Sequence, residues 1–391
     1  MRSLPLAALA AISMVCTAAS QIRFTTIYDI ATGRPSGIAP LGGAVYVVVE
    51  DTGCGYVLNL QPPADYRSDG WGGSVLYTFP SGGSDGCFPT GGPVMGAAGA
   101  VYGLTSTGGQ NDYGTMYELQ PPALQGGAWT ESVAYSFDAP GLEIGMPASP
   151  LVDGPEGSFY VMATYAGGVL LQLLPPAEPG WTWSAARLAE AGPSADWLSA
   201  GPRGGLYVTE ADGGIYGGGT VVDLTPPRTP GGSWTETTLY SFGCCSQAAP
   251  GDPNTLTVAS DGTIYGTTYG EVPFVYTGES AAFSLTPTGS PGGEWTYTML
   301  HYFGENHVNA PLVLRDGNLY GTVQNPEGGA VFELQPPSAP GGSWTITYLH
   351  RFANGQTPSG LLFDDTGTLF GMTGSMPPAP PTGTIFKIET K

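Results

Sequence analysis

The sequence predicts an all-β fold, a seven-bladed β-propeller with four antiparallel strands in each blade. Helices have little room, because 62 glycines and 37 prolines make up about a quarter of the 391 residues. Three short motifs recur in seven copies, and a strand-rich unit that repeats about every 50 residues is typical of propeller blades. A surplus strand near the N-terminus, at 22–30, is expected to complete the last blade.

The first motif is a glycine turn followed by a strand that carries an aromatic residue, as in "DGTIYGTTY" from 261 and "DGNLYGTVQ" from 316. Asp-Gly between two β-rich runs is a strong hairpin signal, because tight hairpin turns need positive φ angles. The aromatic residues of the seven copies are Tyr46, Tyr102, Tyr160, Tyr207, Tyr265, Tyr320 and Phe370.

The second and third motifs predict the two outer strands of each blade. In "GTMYELQPP" and "GAVFELQPP" apolar residues alternate, and the two prolines end the strand. In the third motif a Trp precedes a Tyr or His by six residues. The pairs are Trp71 and Tyr77, Trp129 and Tyr135, Trp234 and Tyr240, Trp295 and His301, and Trp344 and His350. Because six is even, both members are expected on one face of the strand.

Ring closure follows from the two ends of the chain. The last unit stops at Lys391 directly after its third strand, and "IRFTTIYDI" at 22–30 supplies the missing fourth strand if Tyr28 is aligned with the tyrosines of the third motif. Seven blades then close without an exposed sheet edge. We therefore expect a single propeller domain at 21–391.

Residues 1–20 have the features of a cleaved signal peptide: Arg2, an apolar run, and the small residues Ala18, Ala19 and Ser20 at its end. The protein is therefore expected to be exported, either secreted or periplasmic, without membrane insertion. A net charge of −21 argues against nucleic acid and anionic membrane surfaces as partners. We expect a monomer whose partner is a glycan or an extracellular protein or peptide.

The chain resembles the GloVer tandem-repeat proteins, bacterial exported proteins built from Y-G-T-T and G-T-x-F-x-L units. The residues that carry the resemblance are "YGTTYG" at 265–270, "YGTVQN" at 320–325, "GTMYEL" at 114–119 and "GTIFKI" at 383–388. The resemblance covers nearly the whole chain after the signal peptide. It implies an exported repeat protein and no particular chemistry.

The candidate ligand-binding residues lie in the loops between second and third strands and between a fourth strand and the next first strand. These loops share one rim, called here the long-loop rim, and are longer and more varied than the glycine turns of the opposite rim. The candidates are Asn111, Asp112, Tyr113, Asp212, Tyr216, Glu271, Asn306 and His307. The glycine turns are expected to be too short to form a pocket.

No motif identifies catalytic residues. No His lies beside a Ser or Cys, as a nucleophile with its base in sequence would require. Only His307 of the three histidines lies in a rim loop, so no metal site is predicted, although calcium at rim carboxylates stays open. No cofactor is predicted. Two acids would suffice for a glycosidase or lyase, but the sequence cannot select a pair among 32.

Four cysteines follow the signal peptide, and two of them fall in neighbouring loops of the long-loop rim. We predict a disulfide between Cys54 and Cys87, consistent with export. Cys244 and Cys245 are then free or joined to each other.

The leading functional hypothesis is a secreted, non-catalytic binding module for a glycan, peptide or envelope component. The alternative is a secreted propeller enzyme, a lyase or sugar-directed hydrolase that uses rim carboxylates or His307. A quinone-dependent dehydrogenase, suggested only by the adjacent Cys244 and Cys245, ranks last.

Overall fold

The computed structural model describes most of the chain from residue 22 to residue 389. Inside that range the following lie outside the described residues: 65–69, 125, 138–144, 165–166, 179–181, 193, 230–231, 244–250, 270, 273–274, 277–279, 289–292, 309, 326–327, 340, 354 and 376–380. The expected signal peptide and the pair Cys244 and Cys245 therefore lie outside the described residues.

The chain forms a seven-bladed β-propeller, and each blade is a sheet of four antiparallel strands paired in sequence order. The first strand, β1 (Arg23–Ile30), belongs to the last blade. Blade one contains β2 (Arg34–Leu41), β3 (Ala44–Glu50), β4 (Tyr56–Gln61) and β5 (Gly72–Thr78). Blade two contains β6 (Cys87–Met95), β7 (Val101–Thr107), β8 (Thr115–Gln120) and β9 (Thr130–Ser136). In blade three the inner strand is split into β10 (Met146–Pro147) and β11 (Val152–Asp153), followed by β12 (Phe159–Thr164), β13 (Gly168–Leu174) and β14 (Ser184–Ala191).

The remaining blades follow the same order. Blade four contains β15 (Ala195–Ala200), β16 (Leu206–Glu210), β17 (Gly217–Thr225) and β18 (Thr235–Gly243). Blade five contains β19 (Pro253–Val258), β20 (Ile264–Thr268), a small hairpin of β21 (Glu271–Val272) and β22 (Val275–Tyr276), then β23 (Ser280–Pro287) and β24 (Trp295–Gly304). Blade six contains β25 (Val313–Arg315), β26 (Asn318–Asn325), β27 (Gly328–Gln335) and β28 (Thr345–Phe352), and blade seven β29 (Gln356–Phe363), β30 (Leu369–Ser375) and β31 (Gly383–Glu389).

Helical structure in the described residues is limited to three single turns of 3₁₀-helix. Each of these turns connects the first and second strands of a blade. They are Ala97–Gly99, Pro155–Gly157 and Pro202–Gly204.

The hydrophobic core is divided among the blade interfaces. Seven clusters of buried apolar residues are found among the described residues, and each is shared by two neighbouring blades. Aromatic rings account for much of the contact. In five interfaces a Trp, either one of the third motif or Trp183, packs edge-on against the aromatic residue of the second strand in the preceding blade. The ring centroids of these pairs are 5.3–6.2 Å apart. The repeat therefore encodes contacts between blades.

Ring closure occurs as the sequence predicts. Strand β1 pairs antiparallel with β31, and Tyr28 faces Ile385 as Tyr135 faces Met116 in blade two. The predicted alignment of Tyr28 with the tyrosines of the third motif is confirmed by this register. On its other side, the Phe24 ring stacks on His350 of blade six, with centroids 3.6 Å apart.

The expectation that each Trp and its Tyr share one face of the strand is wrong. In every outer strand one apolar residue just before the Tyr or His position is skipped in the pairing, as Ala134 is in β9. Such a β-bulge shifts the alternation by one residue, so the two rings point to opposite faces. Trp129 accordingly packs between blades one and two, and Tyr135 packs between blades two and three.

The predicted disulfide between Cys54 and Cys87 is confirmed, with Cα atoms 4.4 Å apart. Cys54 follows the second strand of blade one and Cys87 begins the first strand of blade two, so the bond ties two neighbouring blades at the long-loop rim. A search of the described residues for a helix of the length and apolar character that a membrane span requires finds none.

Candidate functional site

In blade two, the predicted candidates form one turn of the loop between β7 and β8. Asp112 has a positive φ of 66°, and its Oδ1 accepts a hydrogen bond of 2.6 Å from the backbone N–H of Gly108. The carboxylate therefore holds its own loop closed. Asn111 is exposed, whereas Tyr113 is half-buried against the cluster between blades two and three.

In blade four, the candidates lie in the loop between β16 and β17. Asp212 Oδ2 accepts a hydrogen bond of 2.7 Å from Ser194 Oγ, which joins this loop to the segment that leads into the blade. Tyr216 is 62% exposed and follows Ile215, which is 80% exposed, so an apolar tip projects into solvent here. In blade five, Glu271 begins the small hairpin and pairs with Tyr276; its side chain lies outside the described part of the structure.

The loops of blades five and six bring Asn306 and His307 into one polar group with three residues that the sequence did not single out. We call Tyr269, Asn306, His307, Gln324 and Asn325 the rim cluster. The backbones of His307 and Gln324 exchange two hydrogen bonds of 2.8 and 2.9 Å. Asn325 Nδ2 donates to Asn306 Oδ1 at 3.1 Å, and Asn306 Nδ2 donates to the Phe303 carbonyl at 2.6 Å.

The imidazole of His307 is the notable feature of this cluster. Its ring stacks on Tyr269, with centroids 5.2 Å apart and planes 26° apart. Its Nδ1 is shielded from solvent and has no hydrogen-bond partner among the described residues. Because an unpartnered buried nitrogen costs free energy, the described contacts leave the hydrogen bonding of this ring incomplete.

A weak signal for the missed residues is present in the repeat. Tyr269 lies four residues after Tyr265, and Gln324 lies four residues after Tyr320, so the two occupy the same position in adjacent blades. This position ends the second strand at the long-loop rim. The three-dimensional arrangement separates their roles: Tyr269 stacks on His307, whereas Gln324 Nε2 donates to the Pro358 carbonyl of blade seven at 2.8 Å.

The other two histidines serve as packing residues. His301 packs edge-on against Phe303 at 4.7 Å and His350 stacks on Phe24, and burial lowers the pKa of both imidazoles. Within the described ranges, no group of three or more His, Cys, Asp or Glu side chains is placed to hold a metal ion.

The opposite rim contains a cavity of about 470 Å³ at the junction of blades seven and one. The turns that connect β2 to β3 and β29 to β30 form part of its wall, so the expectation that the glycine turns are too short to form a pocket is wrong here. The cavity needs turns from two blades, and the sequence argument considered each turn alone. We call it the closure cavity.

Comparison with known families identifies the repeat. The model of the Gloeobacter/Verrucomicrobia repeat matches residues 192–391, just over half of the chain. No curated protein sequence matches the chain.

Several solved structures share the fold. An ulvan lyase of polysaccharide lyase family PL25, bound to -[GlcA(1-4)Rha3S]-, is 11% identical, with a TM-score of 0.60 over 93% of this chain and 95% of that one. A second structure of an ulvan lyase is 12% identical, with a TM-score of 0.57 over the same shares. A proposed 6-phosphogluconolactonase from Bacteroides uniformis is 16% identical, with a TM-score of 0.51 over 82% of this chain and 85% of that one. At these identities the likeness concerns the fold.

Proposed function

The chain belongs to the Gloeobacter/Verrucomicrobia repeat family, and from this premise we propose that it is an exported, non-catalytic protein that binds a glycan through the rim cluster. The observation that carries the proposal is the His307 imidazole, stacked on Tyr269 with a buried Nδ1 that lacks a partner among the described residues. Fold resemblance alone does not support it, since function resides in sites rather than folds.

The chemistry of the rim cluster suits a sugar. Three carboxamides, an imidazole and a phenol supply both donors and acceptors for hydroxyl groups, and the aromatic rings supply an apolar surface for the ring of a pyranose. Hydrogen bonds to Phe303 and between Asn306 and Asn325 hold the two Asn carboxamides in place, and Gln324 Nε2 donates to the Pro358 carbonyl at 2.8 Å. Little side-chain entropy is therefore lost when a ligand binds.

Export is part of the same proposal. The N-terminal segment has the pattern of a cleaved signal peptide, and the Cys54–Cys87 disulfide is of the kind that persists in oxidising compartments. We expect mass analysis of the protein recovered from its source to find an N-terminus near residue 21.

The second candidate function is a lyase or sugar-directed hydrolase, and the same imidazole favours it. A histidine in a rim loop can act as a general acid or base, provided that a second group completes the proton transfer. Among the described contacts of the rim cluster, no carboxylate hydrogen-bonds to His307. We therefore place binding without turnover first.

A glycan array, run beside an assay for newly formed reducing or unsaturated sugar ends, tests both candidates. We expect retention of specific glycans without product formation, and a loss of at least about tenfold in affinity for His307→Ala and for Asn306→Ala. The matched control is Glu294→Ala, an exposed position on the opposite rim, which should bind normally. Product formation abolished by His307→Ala would establish the enzyme instead, and unchanged binding by both rim variants would exclude the rim cluster.

A further inference from the structure

The closure cavity lies where the repeat departs from its own pattern. In blades two and six the second-strand Tyr hydroxyl donates to a Glu of the third strand, from Tyr102 to Glu118 at 2.8 Å and from Tyr320 to Glu333 at 2.9 Å. In blade seven the same cross-strand pair is Phe370 and Lys387. Blade seven therefore lacks the Tyr hydroxyl at this position and has an ammonium group in place of the carboxylate. Both of its residues, Phe370 and Lys387, line the cavity.

The wall of the cavity combines an apolar side with a charged side. Trp71 of blade one packs edge-on against Phe370, with centroids 5.5 Å apart, and both rings face the cavity. Lys387 is only 5% exposed, and its Nζ forms an ion pair of 3.1 Å with Glu389, which also lines the cavity. This places a fixed donor and a fixed acceptor side by side next to two aromatic rings.

The mouth of the cavity is formed by the turn between β29 and β30. Asp364 Oδ1 accepts hydrogen bonds from the backbone N–H groups of Thr366 at 3.0 Å and Thr368 at 2.8 Å, so this carboxylate holds the turn in shape. Asp365 and Thr366 are exposed beside it and line the opening. The glycine turn between β2 and β3, at Gly42 and Gly43, forms the facing edge.

The charge of the lining restricts the ligand. Three carboxylates, those of Asp364, Asp365 and Glu389, face one ammonium, that of Lys387, which is already paired. An anionic group would be repelled by the excess negative charge. A hydroxyl group meets no such barrier, since it donates to a carboxylate and accepts from an ammonium at the same time.

We propose that the closure cavity is a second ligand site, which binds a neutral saccharide of one or two pyranose rings. A volume of about 470 Å³ falls within the range of small-molecule pockets, and the Trp71 and Phe370 rings offer the apolar contact that the C–H face of a sugar requires. The site is independent of the rim cluster, because it lies on the opposite rim and shares none of its residues.

Ligand-observed NMR and calorimetry with glucose, galactose, mannose, rhamnose, cellobiose and maltose test the proposal, with glucuronic acid as the anionic counterpart of glucose. We expect at least one neutral sugar to bind with a Kd below about 10 mM and the anionic counterpart to bind more weakly. No binding by any neutral sugar, or tighter binding of glucuronic acid than of glucose, would overturn it.

Two variants locate the site. Trp71→Leu should weaken binding at least about tenfold. Its control, Trp344→Leu, removes the equivalent contact with Tyr265 between blades five and six and should leave binding unchanged. Equal losses in both would mean that the effect is structural. If Trp71→Leu does not fold, Asp365→Ala at the exposed mouth takes its place, and unchanged binding by that variant would refute the site.

The rim variant separates this site from the proposed function. His307→Ala should leave unchanged the small-sugar binding that Trp71→Leu weakens, whatever it does to binding on the glycan array. If His307→Ala abolishes the binding of the small sugar and Trp71→Leu does not, the ligand occupies the rim cluster and the closure cavity is not a sugar site.

Discussion

The Gly of the Tyr-Gly motif is explained by the residue that faces it across the sheet. In four blades this Gly faces an aromatic residue of the third strand: Gly103 and Tyr117, Gly266 and Phe283, Gly321 and Phe332, Gly371 and Phe386. In the other three blades a Val faces an aliphatic residue: Val47 and Leu58, Val161 and Leu171, Val208 and Val222. The Gly–aromatic and Val–aliphatic pairs fill similar space, because the aromatic ring occupies the room that the missing side chain of Gly leaves.

This pairing predicts the outcome of a double substitution in blade six. A Cβ at Gly321 would lie 2.4 Å from Cζ of Phe332, so Gly321→Val should overpack the interface and lower the free energy of unfolding by about 1–3 kcal/mol. Adding Phe332→Leu recreates the Val–Leu pair of blade one and should recover part of that loss. Urea unfolding of the two single variants and the double variant measures the coupling; strictly additive losses would contradict this account.

A second residue-scale prediction concerns Glu131, at the outer interface of blades one and two. Burial, together with the negative charge of Asp85, raises the pKa of Glu131 to about 7 from an ordinary value of 4.5. Tyr77 donates to Asp85 Oδ2 at 2.7 Å and so keeps the neighbouring carboxylate in place. The folded protein therefore holds a proton that the unfolded chain releases, and stability should fall as the pH rises from about 4.5 to about 7.

The change that isolates this effect is Glu131→Gln, which keeps the shape of the side chain and removes its titration. The melting temperature of the variant relative to the parent should be higher at pH 8 than at pH 5, since the parent carries the buried charge only at the higher pH. If the difference in melting temperature between the variant and the parent is the same at pH 5 and pH 8, Glu131 titrates normally.

At the scale of the element, the position and order of the strands could be predicted from sequence. Which side chains of the outer strands point to which face of the sheet could not. Alternation, glycine turns and Pro-Pro ends locate the strands because each is a local property of the chain. The bulge before Tyr135 is set by packing: Ala134 is skipped so that both Trp129 and Tyr135 reach a blade interface, one on each side. No local pattern distinguishes that bulge from regular pairing.

The candidate site divides in the same way. Asn306 and His307 could be assigned to the rim cluster from loop position, because they are neighbours in one loop of the long-loop rim. Tyr269 and Asn325 could not, since they are distant in sequence and only the blade interface brings their loops together. The closure cavity was missed for the same reason, because its two rings come from 71 and 370 in the chain.

The Cys54–Cys87 disulfide is the covalent link between two elements. It closes a loop with a sequence separation of 33 residues, and the chain-entropy model gives a stabilisation of about 3–4 kcal/mol for such a loop. The double variant Cys54→Ala, Cys87→Ala should lose about that much in denaturant unfolding. A loss below about 1 kcal/mol would mean that the reduced loops stay close without the bond.

At the scale of the whole molecule, the ring is held by a contact between its two ends. Blade seven takes three strands from the C-terminal end and β1 from the N-terminal end, so β31 is paired along both of its edges. Ile27 and Ile30 of β1 are buried in the cluster shared with blade one, at 5% and 2% exposure. The strand therefore stabilises the blade and the junction at once, and the closure cavity forms beside that junction.

This arrangement predicts that a variant starting at Ala31 aggregates or melts well below the parent, although only a short N-terminal segment is missing. Its loss exposes the edge of β31 and removes Phe24 from its stack on His350.

Point variants give a graded test of the same strand. Ile27→Ala with Ile30→Ala should cost about 2–5 kcal/mol for each site. Thr26→Ala with Asp29→Ala, at exposed positions, should cost little. A synthetic peptide of residues 22–30, added to the truncated protein, should raise its melting temperature by occupying the open edge. A truncated protein that melts with the parent would show that the ring is closed by other contacts.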